Sequence, residues 1–404
     1  MFGAGVGTFV YLLFTKFRSP VFLGSSFAFL GSMAAAFTGG VSMAVGYLGL
    51  IIGAICAGLV YVVIAILVKC VGVNWLNKLM PAVVIGPTVA IIGLSLAGNA
   101  VGDLQKGGVA TAHPLICVLV GIVTLLVTTI ASTYGKKFAK LIPFIIGILS
   151  GYALATIFTV IGNFAHVDAL KVIDFTKISV LWANGVNLNT FFTLPQFTFI
   201  TALGGVKEIT GSYIATVAVA YLPVALVVFA EHVADHKNIS SIIESDLLED
   251  PGLSRTLLGD GVGSMCGAFF GGCPNTTYGE SVACVAITRN ASVVTIAFAA
   301  AGAILISFLA PFVAFVNSIP SCVMGGVCMA LYGFIAVSGL KMLQQVDLGK
   351  NRNLFTASAI LIAGIGGLSL TFGKITITSI ATALILGIIV NQILSKEKDE
   401  EAAE

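Results

Sequence analysis

Four acids lie in or beside long apolar stretches of this chain: Glu231, Asp235, Asp260 and Glu280. Glu280 ends the run Pro274-Asn275-Thr276-Thr277-Tyr278-Gly279, whose turn-forming and β-branched residues disfavour an ordinary helix. Such backbone has N–H and C=O groups without helical partners, and in an apolar medium it survives only against protein or a cavity. A carboxylate there can accept hydrogen bonds from a polar ligand, or it can cap a half-helix, whose N-terminus favours negative charge. Glu231 and Asp235, four residues apart, share one face of a helix, with Glu231 a turn deeper. A carboxyl so placed can hold and release a proton; the competing reading is a solvated helix end, since His236 and Lys237 follow directly. Asp260, between Gly259 and Gly261, can anchor the fold by hydrogen bonds or serve in coupling. His232 points about 100° away from Glu231 on a helical wheel and reads as packing. Phe27, beside Ser25 and Ser26, can pack in a core or stack on a flat ring.

The elements that position these residues belong to a membrane. Of 404 residues 58% are hydrophobic and only 9% charged, against about 25% charged in soluble domains. Mean hydropathy is +1.06. The bilayer is therefore the expected solvent, with backbone polarity satisfied inside helices. The formal net charge of +2 offers nothing to a nucleic acid. Eight cysteines lie mostly in apolar runs without paired spacing and read as small hydrophobes. No P-loop, HExxH, GxSxG or Cys/His ligand spacing occurs, so no enzyme, cofactor or metal reading is supported.

Thirteen apolar runs are candidate spans: 3–14, 21–37, 43–68, 80–96, 115–130, 141–161, 213–230, 257–270, 278–287, 293–316, 323–337, 354–370 and 375–394. A spanning helix needs about 20 residues, so the short runs beginning at 3, 257 and 278 are expected to contain broken backbone. Of the 20 Lys and Arg, all but Lys106, Lys171, Lys177, Lys207 and Lys374 fall in alternate loops on one side. Cytoplasmic loops retain positive charge, which predicts a cytoplasmic C-terminus. Thirteen spans would then leave Met1 outside with no exporting signal, and the expectation is that one N-terminal helix is missing. The polar stretch 162–212 reads as an external loop with half-buried pieces such as 191–203, dividing the chain into halves of similar span number, as in an inverted-repeat transporter. Leu23-Gly24-Ser25-Ser26-Phe27-Ala28-Phe29 is the first-half counterpart of Pro274 to Gly279.

Ala230-Glu231-His232-Val233, the run Asp246 to Arg255, Gly271 to Arg289 and Leu23 to Phe29 together resemble the bacterial uracil permeases of the nucleobase/ascorbate transporter family, over essentially the whole chain. The resemblance implies an all-α polytopic protein of the bacterial cytoplasmic membrane, an inverted repeat of seven plus seven segments, and a homodimer. This chain would begin at the second segment. Core domain would comprise 1–68 and 213–316, gate domain 69–161 and 317–395, with the loop 162–212 and a tail 396–404. Two short strands, 25–29 and 275–279, would meet at mid-membrane.

By the same resemblance Glu280 and Glu231 would bind the nucleobase, Gly279 and Tyr278 would present main chain, and Phe27 would pack on the ring. Glu231, Asp235 and Asp260 would serve proton coupling, with Na⁺ as the other possible ion. Two positions depart from the pattern. Uracil permeases of the best-known type have His where this chain has Asp235, a position often Asp in purine-transporting relatives. The signature that usually reads Glu or Gln, Asn, x, Gly is here Glu280-Ser281-Val282-Ala283. Glu280 favours uracil and Asp235 favours xanthine or urate; uracil is the leading expectation. A channel or anion transporter on the same fold, or a non-transporting scaffold, are the rivals; an anion site would need an uncompensated basic residue at membrane depth.

Overall fold

The computed structural model describes residues 1–72, 79–136, 138–183, 185–372 and 375–394, with the backbone alone at 138, 230, 280, 283, 286, 287, 375 and 376. Lys78, Lys137, Asn184, Lys374, Lys396 and Lys398 therefore lie outside the described residues.

The chain is helical nearly throughout. Six helices are long and apolar enough to cross a membrane: Met43–Val71, Ala82–Leu104, Pro114–Tyr134, Pro143–Ala165, Gly211–Ile243 and Ser321–Leu343, among the described residues. Shorter apolar helices occupy Phe2–Phe14, Val293–Ile306 and Ser379–Leu394. Large apolar side chains such as Leu59, Val63, Ile66, Leu126 and Ile130 are exposed along these helices. That outward apolar surface belongs in lipid, where it costs nothing.

The helices cluster into two compact units. The first comprises Met1–Ile91, Pro195–Ile306 and Gly339–Glu404; the second comprises Ile92–Leu194 and Ser307–Ser338. In the second unit Pro114–Tyr134 packs along Pro143–Ala165, around a core of Cys117, Val120, Ala155, Val172, Ile173 and Val323. Its loop residues Val172 and Ile173 donate their backbone N–H groups to Thr159 Oγ1, both at 3.0 Å. In the same loop Lys171 bonds Asp168 and holds its exposed carboxyl below the usual carboxylate range.

The first unit carries the elements of interest. These are α1 (Phe2–Phe14), β1 (Leu23–Ser25), α2 (Met43–Val71), α3 (Gly211–Ile243), α4 (Leu253–Gly271), β2 (Asn275–Thr277) and α5 (Gly279–Thr288). A second strand pair, β3 (Leu370–Phe372) with β4 (Ile375–Ile377), precedes the helix Ser379–Leu394. Helix α4 packs against α1 and α2 on two faces. On the first, Gly3 and Gly7 face Gly267 and Gly263; on the second, Gly58 faces Gly261. Small residues let membrane helices approach to backbone contact.

Strands β1 and β2 are antiparallel, with Leu23 opposite Thr277, Gly24 opposite Thr276 and Ser25 opposite Asn275. The expectation of two short paired strands holds, and the second begins where it was placed. The first lies two residues earlier than expected: Phe27–Phe29 is already a 3-10 turn, leading into a short helix, Leu30–Ala35. Three other expectations are corrected. The runs at 3 and 257 contain no break, because α1 and α4 are continuous helices whose glycine faces are buried against each other. The run 293–316 is two helices, Val293–Ile306 and Ala310–Ser318, parted where Leu309 bridges to Phe192. Helix α3 extends to Ile243 rather than ending at residue 230.

Two close approaches lock the strand pair in place. A Cβ on Gly24 would fall 2.1 Å from the Tyr278 ring, so that ring lies directly on the β1 backbone. Asn275 is buried between α1 and α4, its Nδ2 donating to Gly3 O at 2.9 Å. Gly24→Val should displace Tyr278 and lower the melting temperature of the detergent-solubilised protein. Asn275→Ala should cost about 1–3 kcal/mol, the range for losing a buried hydrogen bond, read as a lower melting temperature with the helical circular dichroism retained.

Candidate functional site

Helix α3 has Pro223 inside it, and beyond that proline it presents two polar stripes at helical spacing. Glu231 and Asp235 form one, His232 and His236 the other. Each pair is four residues apart, and the offset of one residue turns the stripes about 100° from each other.

The Asp235 end of the carboxylate stripe faces β2 and the start of α5. Thr277 Oγ1 donates to Asp235 Oδ2 at 3.2 Å, and a Cβ on Gly279 would sit 3.6 Å from Asp235 Oδ1. Asp235 is half-buried and Glu231 exposed. Glu231 thus stands within a 33-residue helix, not at its end, and is exposed. Helix α5 begins at Gly279, directly after Tyr278, so its N-terminal N–H groups and positive dipole end lie beside the Asp235 carboxylate. The α5 first turn is tied to the segment entering β1, since Phe22 N–H donates to Ser281 Oγ at 3.4 Å. Ser281, one of the two signature departures, thereby has a structural partner.

Tyr278 crosses from one strand to the other, its hydroxyl donating to Ser25 O at 2.7 Å. Phe27 follows Ser25 by two residues, half-buried in the turn after β1. The Glu280 side chain lies outside the described residues; its backbone is the second position of α5. The structure thus gathers Asp235, Gly279 and Tyr278 about the strand pair, puts Glu231 one turn along α3 from Asp235, and starts the helix bearing Glu280 there. A cavity of about 950 Å³ in the same unit opens on a third face of α3, lined by Phe229, Val233 and Lys237 together with Val68, Ser254 and Met342; none of the expected site residues lines it.

Asp260 is elsewhere. It is fully buried in α4, against the histidine stripe of α3, and its Oδ2 is 2.6 Å from His232 Nδ1. His232 Nε2 meets Thr256 Oγ1 at 3.1 Å. Reading His232 as mere packing is therefore corrected: it is a fully buried, doubly hydrogen-bonded ring. The ring of His236 stacks on it at 4.0 Å. His236 Nδ1 lies 2.8 Å from the His232 carbonyl, which can only accept, so in the neutral ring Nε2 accepts from Tyr11 at 2.6 Å. Tyr11 in turn meets Ser19 Oγ at 2.7 Å. The signal for these residues was present in Glu231-His232-Val233-Ala234-Asp235-His236, where the histidines repeat the spacing of the acids.

Comparison with known proteins places the chain. A model described as Permease family matches residues 1–372. Over 394 residues the chain is 39% identical to the uracil permease of Bacillus caldolyticus, covering 97% of this chain and 84% of the relative. It is 37% identical to the uracil permease of Bacillus subtilis (strain 168), covering 99% and 86%, and 36% identical to that of Escherichia coli (strain K12), covering 98% and 85%. Among solved structures, the transmembrane domain of the cyanobacterium bicarbonate transporter BicA matches with TM-score 0.56 at 14% identity, covering 96% of this chain and 92% of that one. The murine anion transporter Slc26a9 in its inward-facing state matches with TM-score 0.58 at 9% identity, covering 98% and 63%. At such identities the likeness is one of fold, and it is the expected polytopic helical membrane fold. The chain belongs to this permease family and is a multi-pass membrane transport protein, not an enzyme.

Proposed function

We propose that the protein imports uracil together with protons across the cytoplasmic membrane of a bacterium. The observation that carries this reading is the meeting of the Asp235 end of the α3 carboxylate stripe with the start of α5 beside the β1–β2 pair. Uracil has two ring N–H donors, two carbonyl acceptors and a flat apolar face. Carboxylates suit the donors, free N–H groups at a helix start suit the carbonyls, and an aromatic ring suits the face. Glu280 and Glu231 would take the N–H groups, the main chain of Gly279 and Tyr278 the carbonyls, and Phe27 the ring. The names of the relatives agree with this assignment.

Glu231 is exposed. Protonation of Glu231 would accompany loading from outside, with Asp235 and Asp260 as the other acids of the proton path. A core carrying the site would then move against a gate, and deprotonation inside would release the base. Core and gate, a homodimer, and H⁺ rather than Na⁺ are parts of this proposal. One observation favours a second reading, a purine such as xanthine: the position held by His in uracil permeases of the best-known type is Asp235, here fixed by Thr277.

Radiolabelled uracil uptake into vesicles, with and without an inward proton gradient and with xanthine as competitor, tests the assignment; uptake indifferent to the gradient, or stronger for xanthine, would reverse it. Glu280→Ala should remove charge-assisted hydrogen bonds worth about 1.5–3 kcal/mol each and abolish measurable binding. Glu231→Gln should keep part of the binding and lose the pH dependence of uptake; an unchanged pH profile would exclude Glu231 from coupling.

A further inference from the structure

We infer that His232 and Asp260 hold a single shared proton, and that this buried pair, next to the carboxylate stripe on α3, is where the coupled proton rests. The inference builds on the proposed uracil site and extends it to residues that site does not contain.

Hydrogen-bond counting carries the argument. Thr256 has one hydroxyl proton, and it donates to Leu253 O at 3.0 Å. Thr256 Oγ1 can therefore meet His232 Nε2 only as an acceptor, which puts a proton on Nε2. The remaining nitrogen, Nδ1, is 2.6 Å from Asp260 Oδ2, and one proton must lie between them. It belongs either to a neutral imidazole facing a carboxylic acid or to an imidazolium facing a carboxylate. Both forms are neutral as a pair. Asp260 Oδ1 is buried with no hydrogen-bond partner among the described residues, and an unsolvated charge there is costly. The proton accordingly sits on Oδ2, and losing it leaves one net negative charge in the interior.

Several polar groups pack around the pair. Tyr61 of α2 stands edge-on to the His232 ring, with centroids 6.1 Å apart. His236 of α3 and Tyr11 of α1 complete the buried chain. On the site side, Thr277 of β2 donates its hydroxyl to Asp235 at 3.2 Å. His232 directly follows Glu231 on α3, so a charge appearing at the pair would arise one residue from the carboxylate stripe.

The full-length protein in lipid vesicles provides the test. Infrared difference spectra with and without uracil should show the carbonyl band of a protonated buried carboxyl. Asp260→Asn should remove that band. Thr256→Ala should weaken it with Asp260 still present, because His232 can then carry its one proton on Nδ1. Uracil affinity of the unmodified protein should fall with rising pH by about tenfold per unit where one proton is linked to binding, and His232→Gln and Asp260→Asn should flatten that slope. A merely structural role would lower stability and leave the slope. A band unchanged in both Asp260→Asn and Thr256→Ala, or a full slope in His232→Gln, would overturn the inference. Absence of uracil binding in the unmodified protein would refute the uracil reading instead, and the carboxyl band across a pH titration would still decide the pair.

Discussion

The pairing of β1 with β2 is the constraint on which the rest depends. Six residues leave helical geometry amid apolar sequence, and five of them are buried, so their backbone groups need protein partners. Pairing satisfies the groups that face across the strands, Thr8 and Tyr278 meet Leu23 and Ser25 from outside, and the pair joins two segments some 250 residues apart in the chain. The junction needs room, which Gly24 gives to the Tyr278 ring, and an anchor, which Asn275 takes from the start of α1. Once the strands are held, α5 must begin at Gly279, and its free N–H groups are fixed in space.

Opposite this junction, helix α3 separates two kinds of polar chemistry by one step along the chain. Residue 235 looks toward the strands and the α5 start; residues 232 and 236 look into packed protein, against α1, α2 and α4. One helix thereby carries an exposed to half-buried acidic stripe and a fully buried histidine stripe along the same turns.

Much of this was legible in the sequence, for reasons that can be named. Charged residues in apolar sequence stand out because burying them is costly, so Glu231, Asp235, Asp260 and Glu280 were visible at once. Helix-averse letters at 274–279 revealed β2 for the same local reason. What was hidden depended on partners remote in sequence. The role of His232 needs Thr256 and Asp260, and that of His236 needs Tyr11. The shift of β1 by two residues follows from its register with β2, which no local pattern in Leu23 to Phe29 encodes. Continuity of α1 and α4 was missed because length alone suggested a break, whereas matching glycine faces let short helices pack tightly.

The bond between Thr277 and Asp235 has a mechanical consequence. It ties α3 to β2 through Asp235, while His232 ties α3 to α4, and Asn275 ties β2 to α1. Turning α3 about its own axis would break the bonds of both stripes together. These four elements are therefore stapled together, and in the transport movement proposed above they would travel as one block.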